Sequence, residues 1–124
     1  KARIEIESMR RMVLTAATAM DELGNEAARV WVSAVKAMVP IRVCHIIDEA
    51  IQFHGGTGVS QWTPLADMYT SQRTLRLADG PDEVHWFVVG RAELRRWETE
   101  GGIKYDPKVS YYSEDDDSVL TARI

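Results

Sequence analysis

Residues 26–53 carry apolar side chains on nearly every side of a helix, and this stretch constrains the fold more than any other. A helix that is apolar all round must be enclosed by other elements. The stretch therefore predicts a central helix with neighbours on several sides. Pro40 lies inside it and removes one backbone hydrogen bond, so we expect a kink or a split near Val39.

Helical patterns also flank this stretch. The first has apolar residues at three- and four-residue steps, namely Ile6, Met9, Val13, Ala16, Met20 and Leu23. Gly24 follows it and supplies a helix stop. After the central stretch, Thr63 as N-cap and Pro64 at the first helical position predict a third helix that runs to about Arg76.

A fourth helix is predicted to begin at Gly80 or Pro81. Its apolar face would hold Val84, Phe87, Val88 and Leu94. We find no strand pattern and no internal repeat in the sequence. The helices therefore predict an all-α fold, an antiparallel helical bundle.

Composition limits the class of protein. A chain of 124 residues with 45% hydrophobic and 27% charged side chains is large enough for one soluble domain with a core. No apolar run comes near the roughly 20 residues that a membrane span needs, so no membrane span is expected. The single cysteine, Cys44, excludes a disulfide framework and is expected to be buried. The histidines show no metal-ligand spacing, so no metal site is predicted.

The negative charge is concentrated at the end of the chain. Residues 98–124 contain seven acidic and three basic side chains, which accounts for the whole net charge of −4. No basic stripe with interleaved aromatic residues occurs, so a nucleic-acid partner is not expected. We predict that 98–124 is an acidic tail, partly ordered or disordered, and that its tyrosines could dock on a neighbour.

Two short motifs could carry chemistry. The first is the glycine-rich segment 52–58, Gln-Phe-His-Gly-Gly-Thr-Gly, whose glycines permit positive φ and close approach to a ligand such as a phosphate. The second is Asp79-Gly80-Pro81, which sets a carboxylate, and hence a possible base, at the entrance of a helix. Each has a simpler alternative. Asp79 could be only a helix N-cap, and His54 only a partner of the helix dipole.

Together these motifs resemble the C-terminal helical domain of the acyl-CoA dehydrogenases, most closely the subgroup of family members ten and eleven. The family pattern is a Gln-x-x-Gly-Gly-x-Gly loop, a Pro step that opens a short helix, and a Glu-Gly-Thr turn. The corresponding segments here are 52–58, Thr63-Pro64 and Asp79-Gly80-Pro81. The resemblance covers about residues 3–97. It implies that 1–97 is part of the family's four-helix bundle, and that the chain is a fragment or one piece of a split protein.

The resemblance implies FAD-dependent α,β-desaturation of acyl-CoA thioesters, by α-proton abstraction with hydride transfer to flavin. Carried over, Asp79 is the catalytic base and Gly80 borders the substrate, while Pro81 and Glu83 lie where the family turn touches FAD. The loop residues Gln52, Phe53, His54, Gly55 and Gly56 would contact the adenine side of FAD, commonly that of a neighbouring subunit.

Some residues depart from the family pattern. Asp79 replaces the usual Glu and is shorter by one methylene, so the backbone would have to compensate for the lost reach. Ala78 stands where an aromatic residue is frequent, which would widen the acyl pocket. Pro81 replaces a hydroxyl residue, leaving Glu83 as the better contact for FAD. Some members place the base on a first bundle helix that this chain does not contain.

The family also implies partners. They are the acyl-CoA substrate, an electron-transfer acceptor, the remaining segments of the enzyme, and neighbouring subunits of a homodimer or homotetramer. Such a flavoprotein oxidoreductase serves lipid metabolism and fatty acid β-oxidation, in the cytoplasm of bacteria or in mitochondria or peroxisomes of eukaryotes. This chain alone would be inactive. The alternative is a non-catalytic helical oligomerisation module derived from the same family.

Overall fold

The computed structural model describes residues 1–100, and this part of the chain contains helices and no strand. The helices are α1 (Ala2–Ala27), α2 (Arg29–His54), α3 (Leu65–Thr74) and α4 (Asp82–Glu100), with a 3-10 turn at Gly55–Thr57. The all-α prediction is confirmed. Predictions for residues 101–124 lie outside the described residues.

The chain reverses direction at Gly24, as predicted. Gly24 adopts φ 81° and ψ 168°, which interrupts the helical geometry near the end of α1. Arg42 Nη1 on α2 then lies 2.6 Å from Glu5 Oε2 on α1. Because residues 5 and 42 are nearly equally far from Gly24 along the chain, this contact shows that the two helices run antiparallel.

Helix α2 is central, as its composition predicts. It contacts α1, α3 and α4, whereas none of these three contacts another within residues 1–100. Its buried residues form one stripe at three- and four-residue steps: Ser33, Ala37, Pro40, Cys44 and Ile47. Most of them are small, so neighbouring backbones can approach α2 closely.

Of the two outcomes expected at Pro40, a kink or a split, the split does not occur. Helix α2 continues from Arg29 to His54 with Pro40 inside it. Pro40 is buried, and buried residues lie on both sides of it, at Ala37 and Cys44. This packing holds the helix together across the one missing backbone hydrogen bond.

The buried face of α1 is narrower than the periodicity predicts. Met9 and Ala16 are buried, as expected, together with Ala19. Leu23 is 60% exposed, and Val13 and Met20 are also exposed. The reason is that α1 contacts one helix, α2, so a single narrow stripe is covered.

The predicted apolar face of α4 is wrong in its main members. Phe87 and Leu94 are each 67% exposed. The side of α4 that is covered begins instead with Asp82, which is buried, and His85, which is half-buried. Apolar periodicity could not find this face because its first two positions are polar.

Helix α3 also begins differently from the prediction. Its first residue is Leu65, and no side chain caps its N-terminus. The hydroxyl of Thr63 donates to the carbonyl oxygen of Thr57 at 3.4 Å instead. Thr63 therefore closes the loop onto the 3-10 turn rather than capping the helix.

The segment 29–57 is long and apolar enough to cross a membrane by length and composition, since an 18-residue window within it has a mean hydropathy of 1.5. No other helix among the described residues meets this test. The expectation that no such run exists was therefore wrong. A helix at the centre of a bundle has the same composition, and the contacts of α2 with three other helices account for it.

Cys44 lies in the core, as predicted, at 5% exposure. Burial raises the pKa of its thiol, while the nearby Arg76 and Arg73 guanidinium groups act in the opposite direction. A raised folded-state pKa means that the folded protein resists loss of the thiol proton. The stability that Cys44 contributes is complete below the unfolded thiol's pKa of about 8.5 and declines as the pH rises above it.

We therefore expect the free energy of unfolding to fall between pH 8 and pH 10, and to fall less steeply in Cys44→Ala. Urea titrations of both proteins across this range measure the two slopes. Iodoacetamide should alkylate Cys44 slowly in native protein and rapidly in urea. Equal slopes, or equal alkylation rates, would show that the thiol is not protected.

Candidate functional site

The glycine-rich loop begins directly at the end of α2. Gly55 has φ 56°, which ends the helix, and its N–H donates to Gln52 O. His54 Nδ1 lies 2.8 Å from Ala50 O. Because a carbonyl can only accept, Nδ1 is the protonated ring nitrogen, which ties the imidazole to the last turn of α2. This contact agrees with the simpler reading of His54 as a partner of the helix end.

The loop glycines serve different purposes. Gly55 has positive φ, but Gly56 and Gly58 do not. A Cβ at Gly58 would lie 2.6 Å from Ile51 O and 2.9 Å from Ile51 Cα, so a side chain there would collide with α2. Gly58 therefore allows the loop to fold back against the helix. The expectation that this glycine is needed for a positive φ is wrong.

The predicted ligand residues of this loop face outward. Gln52, Phe53, His54, Gly55 and Gly56 are all exposed, and Phe53 reaches 90% exposure. No atom within 4 Å would meet a Cβ at Gly55 or Gly56. A flat ligand or a neighbouring chain could therefore approach the backbone of this loop directly.

The Asp79 turn has an unusual backbone. Asp79 has φ 56° and is the one residue other than glycine with positive φ in the described chain. Gly80 follows with φ 98°. Helix α4 begins at Asp82, three residues after Asp79, so the reading of Asp79 as its N-cap is wrong. The Asp79 side chain is exposed, and its carboxylate makes no hydrogen bond with residues 1–100.

An ion pair between Arg76 and Asp82 joins the two sides of the turn. Arg76 Nε donates to Asp82 Oδ2 at 2.6 Å, and the Asp82 backbone N–H donates to Arg76 O at 3.2 Å. Asp82 is only 4% exposed. The hydrogen bond to Asp82 raises the pKa of the Arg76 guanidinium. Asp82 Oδ1 is buried without a partner among the described residues, so this pair carries the cost of a buried charge.

His85 holds the turn from the first turns of α4. Its Nε2 lies 3.2 Å from Asp79 O, which makes Nε2 the protonated nitrogen. A Cβ at Gly80 would lie 3.1 Å from the same nitrogen. Glycine at position 80 is favoured by the positive φ, and a side chain there would also press against the ring of His85.

Lys36 on α2 contacts the turn from across the bundle. Its Nζ donates to Gly80 O at 3.2 Å and also to Leu75 O. These two carbonyls lie on either side of Asp79 in the chain. The remaining predicted residues, Pro81 and Glu83, are exposed at the start of α4.

The loop and the turn lie at different positions along the axis of α2. Lys36, which contacts the turn, and His54, which precedes the loop, are 18 positions apart on one helix. That separation is a rise of about 27 Å. One chain therefore does not bring the two predicted motifs together into a single pocket.

A cleft of about 430 Å³ lies between α4 and the beginning of α2. Its apolar lining includes Val84, Phe87 and Val88, which follow the Asp79 turn along α4. Arg29, Arg91 and Arg95 also line it, with Glu26 as its one acidic residue. The cleft thus offers an apolar surface beside several positive charges.

Sequence reasoning missed the residues that hold the turn. Lys36 is the one charged residue within 30–41, and a cation isolated in an apolar helix was the available signal. The helical pattern assigns no specific contact to Asp82 or His85. Arg76 and Asp82 flank Asp79 by three residues on each side, but this spacing alone does not indicate an ion pair.

A model of the acyl-CoA dehydrogenase C-terminal domain matches residues 1–94. The chain therefore belongs to the acyl-CoA dehydrogenase family, as its motifs predict. The match includes both the glycine-rich loop and the Asp79 turn.

Individual relatives agree with this assignment. Acyl-CoA dehydrogenase family member 11 of Rattus norvegicus is 54% identical over 95 residues, covering 77% of this chain and 12% of that protein. Family member 10 of Mus musculus is 45% identical over 95 residues, covering 77% of this chain and 9% of that protein. The predicted similarity to members ten and eleven is confirmed.

A solved structure gives the same result for the fold. A Mycobacterium abscessus protein assigned as an acyl-CoA dehydrogenase aligns with a TM-score of 0.76 and 48% identity. The alignment covers 77% of this chain and 24% of that one. The chain thus spans between about a tenth and a quarter of the length of these three proteins.

We expect Gly58→Ala to destabilise the chain by about 1–3 kcal/mol, because its Cβ must displace the backbone of Ile51. Gly56→Ala is the matched control, since open space surrounds that position, and should change stability by less than about 0.5 kcal/mol. Urea unfolding followed by circular dichroism measures both. Equal losses would show that the close approach at Gly58 is not required.

Asp82→Asn should cost about 1–3 kcal/mol, since it removes the charged partner of a half-buried arginine while keeping the side-chain shape. Glu7→Gln is the control, because Glu7 pairs with Arg3 and Arg10 at the surface. Its loss should stay below about 1 kcal/mol. If thermal melting shifts equally in the two variants, the Arg76–Asp82 pair does not stabilise the fold.

Proposed function

We propose that this chain is part of a FAD-dependent acyl-CoA dehydrogenase that introduces a double bond between the α and β carbons of an acyl-CoA thioester. The observation that carries the proposal is the Asp79 turn. An exposed carboxylate stands on a backbone of unusual conformation, and several side chains hold that backbone in place. A residue that only caps a helix would not need its backbone to be held by several side chains.

In this reaction the Asp79 carboxylate takes the α-proton of the thioester. The proton moves to a carboxylate oxygen, and the electron pair of the α-carbon forms the new double bond. General bases of this kind work at hydrogen-bonding distance from the proton, which suits an exposed side chain at the edge of a site. FAD, when bound, would supply the acceptor for the hydride that leaves the β-carbon.

Two parts of the chain would hold FAD. Pro81 and Glu83 follow the base directly and are exposed, so they can border the cofactor of the same subunit. The loop from Gln52 to Gly56 is too far along α2 to reach that region. Its open backbone and the exposed Phe53 instead suit the adenine side of FAD in a neighbouring subunit. A homodimer or homotetramer would complete each site.

The α2–α4 cleft supports acyl-CoA as the substrate class. It starts one turn after the proposed base, at Val84, and combines apolar side chains with Arg29, Arg91 and Arg95. CoA thioesters carry phosphate groups together with less polar parts. Guanidinium groups pair well with phosphates, so the cleft offers suitable chemistry for the CoA portion. Gly80 would border the thioester itself.

A second candidate is a non-catalytic oligomerisation module. The exposure of Phe53 and Trp62, at 90% and 88%, favours a contact with another chain. Both functions predict that contact, so it does not separate them. The contacts that hold Asp79 in its unusual backbone conformation favour the enzyme over the non-catalytic module. Such an enzyme would act in lipid metabolism and fatty acid β-oxidation, and it would pass electrons to a separate acceptor.

In the complete enzyme, Asp79→Asn should slow flavin reduction by acyl-CoA by about 10²–10⁴-fold, because Asn keeps the shape of Asp but cannot accept the proton. Substrate affinity and FAD content should change little. Rapid mixing with substrate, followed at the flavin absorbance, measures the rate. Asp67→Asn, at an exposed aspartate on α3, is the control and should react at the unmutated rate.

The outcome also decides between the two candidates. If Asp79→Asn bleaches its flavin as fast as the unmutated enzyme, another residue is the base. If the complete protein holds no FAD at all, the non-catalytic module is the better description.

A further inference from the structure

The Asp79 turn is held mostly by residues close to it in sequence. Arg76, Asp82 and His85 all lie within six positions of Asp79. Such local contacts fix the shape of the turn, but they do not fix its position relative to the rest of the bundle. For that, the turn needs a contact with another element.

Lys36 provides this contact. It lies 39 residues before Leu75 and 44 before Gly80, and its Nζ reaches both carbonyls. One ammonium group thus joins the end of α3 and the residue after Asp79 to the central helix. Among the hydrogen bonds of residues 1–100, this is the one side-chain contact from α2 to the turn.

The chemistry of lysine suits this role. An ammonium group has three donors, so it can serve two carbonyl oxygens at once. Hydrogen bonds from a charged donor are roughly twice as strong as neutral ones. Lys36 is also half-buried, so water competes less for its donors than it would at the surface.

The strain of the turn explains why such a contact is needed. A residue other than glycine at positive φ is strained, and this conformation persists only where the surroundings fix it. Asp79 and Gly80 adopt positive φ in succession. Without a contact from α2, the segment between Leu75 and Asp82 could relax and move the carboxylate.

We propose that Lys36 is a positioning residue that sets the place of the Asp79 carboxylate by binding the Leu75 and Gly80 carbonyls. Lys36 does not touch the reacting atoms. It acts through the backbone on either side of Asp79. The proposal rests on the proposed function insofar as it concerns catalysis, whereas its structural part concerns this chain alone.

The structural part is tested on this chain by amide hydrogen exchange measured by NMR. Lys36→Met keeps the length and apolar stem of the side chain but removes its donors. The amides of Ala78 and Asp82, which donate to Thr74 O and Arg76 O, should then exchange at least about tenfold faster, while the buried amides of α2 near Cys44 keep their protection. Lys36→Arg retains donors and charge and should restore most of the protection.

Arg42→Met is the matched control. It also removes a half-buried cation of α2 that reaches another element, because Arg42 pairs with Glu5 on α1 at 2.6 Å. It should leave the exchange of Ala78 and Asp82 unchanged. The proposal is overturned if Lys36→Met leaves these amides at their unmutated rates, or if Arg42→Met speeds them equally.

The catalytic part is tested in the complete enzyme. A displacement of about 1 Å at a reacting group can cost on the order of a hundredfold in rate, so Lys36→Met should lower kcat by about 10–100-fold with KM for acyl-CoA nearly unchanged. Lys36→Arg should recover kcat to within a few-fold. A merely structural lysine would instead lower the amount of folded enzyme and leave the kcat of the remainder intact, which would overturn the proposal.

The two proposals can fail separately. If Asp79→Asn is fully active, the proposed base is wrong, yet Lys36→Met must still loosen the turn in the exchange experiment. If Asp79→Asn is inactive and Lys36→Met turns over at the unmutated rate, Asp79 is the base and Lys36 does not position it.

Discussion

The packing of small residues along one side of α2 is the constraint on which the rest of the structure depends. Ser33, Ala37 and Cys44 let neighbouring backbones come close, and Pro40 lies among them without ending the helix. Since α1, α3 and α4 contact α2 and not one another within residues 1–100, each takes its position from that helix. Both candidate functional segments depend on it too: the loop packs through Gly58 against Ile51, and the turn is bound by Lys36.

Under the proposed function, this arrangement would let one helix contribute to two parts of a cofactor site. The turn and the loop are separated by about 27 Å of helix, so a rigid α2 fixes the distance between them. Each α2 would then contribute the base region to one site and the loop to another. Under the proposed function, an assembly of subunits would complete each site, because the exposed Phe53 and the open backbone at Gly55 and Gly56 are not covered by other parts of residues 1–100.

The backbone of the Asp79 turn is strained, and contacts from neighbouring side chains compensate for this strain. Its positive φ values are unfavourable, and the Arg76–Asp82 pair buries a charge with one carboxylate oxygen lacking a partner within residues 1–100. Proteins retain such costs where surrounding structure compensates for them, often at functional sites. Here the compensation comes from His85 on α4 and Lys36 on α2, two helices that meet at the turn.

The helical class, the central place of α2, the stop at Gly24, the family and the two motifs could be predicted from the sequence, because these depend on periodicity, glycine geometry and residues adjacent in the chain. The covered side of α4 could be found only in the folded chain, since Asp82 and His85 replace apolar residues there. The same holds for the continuity of α2 through Pro40 and for the contact of Lys36 with the turn. Such facts depend on contacts between residues distant in sequence, and neither local propensity nor spacing specifies those contacts.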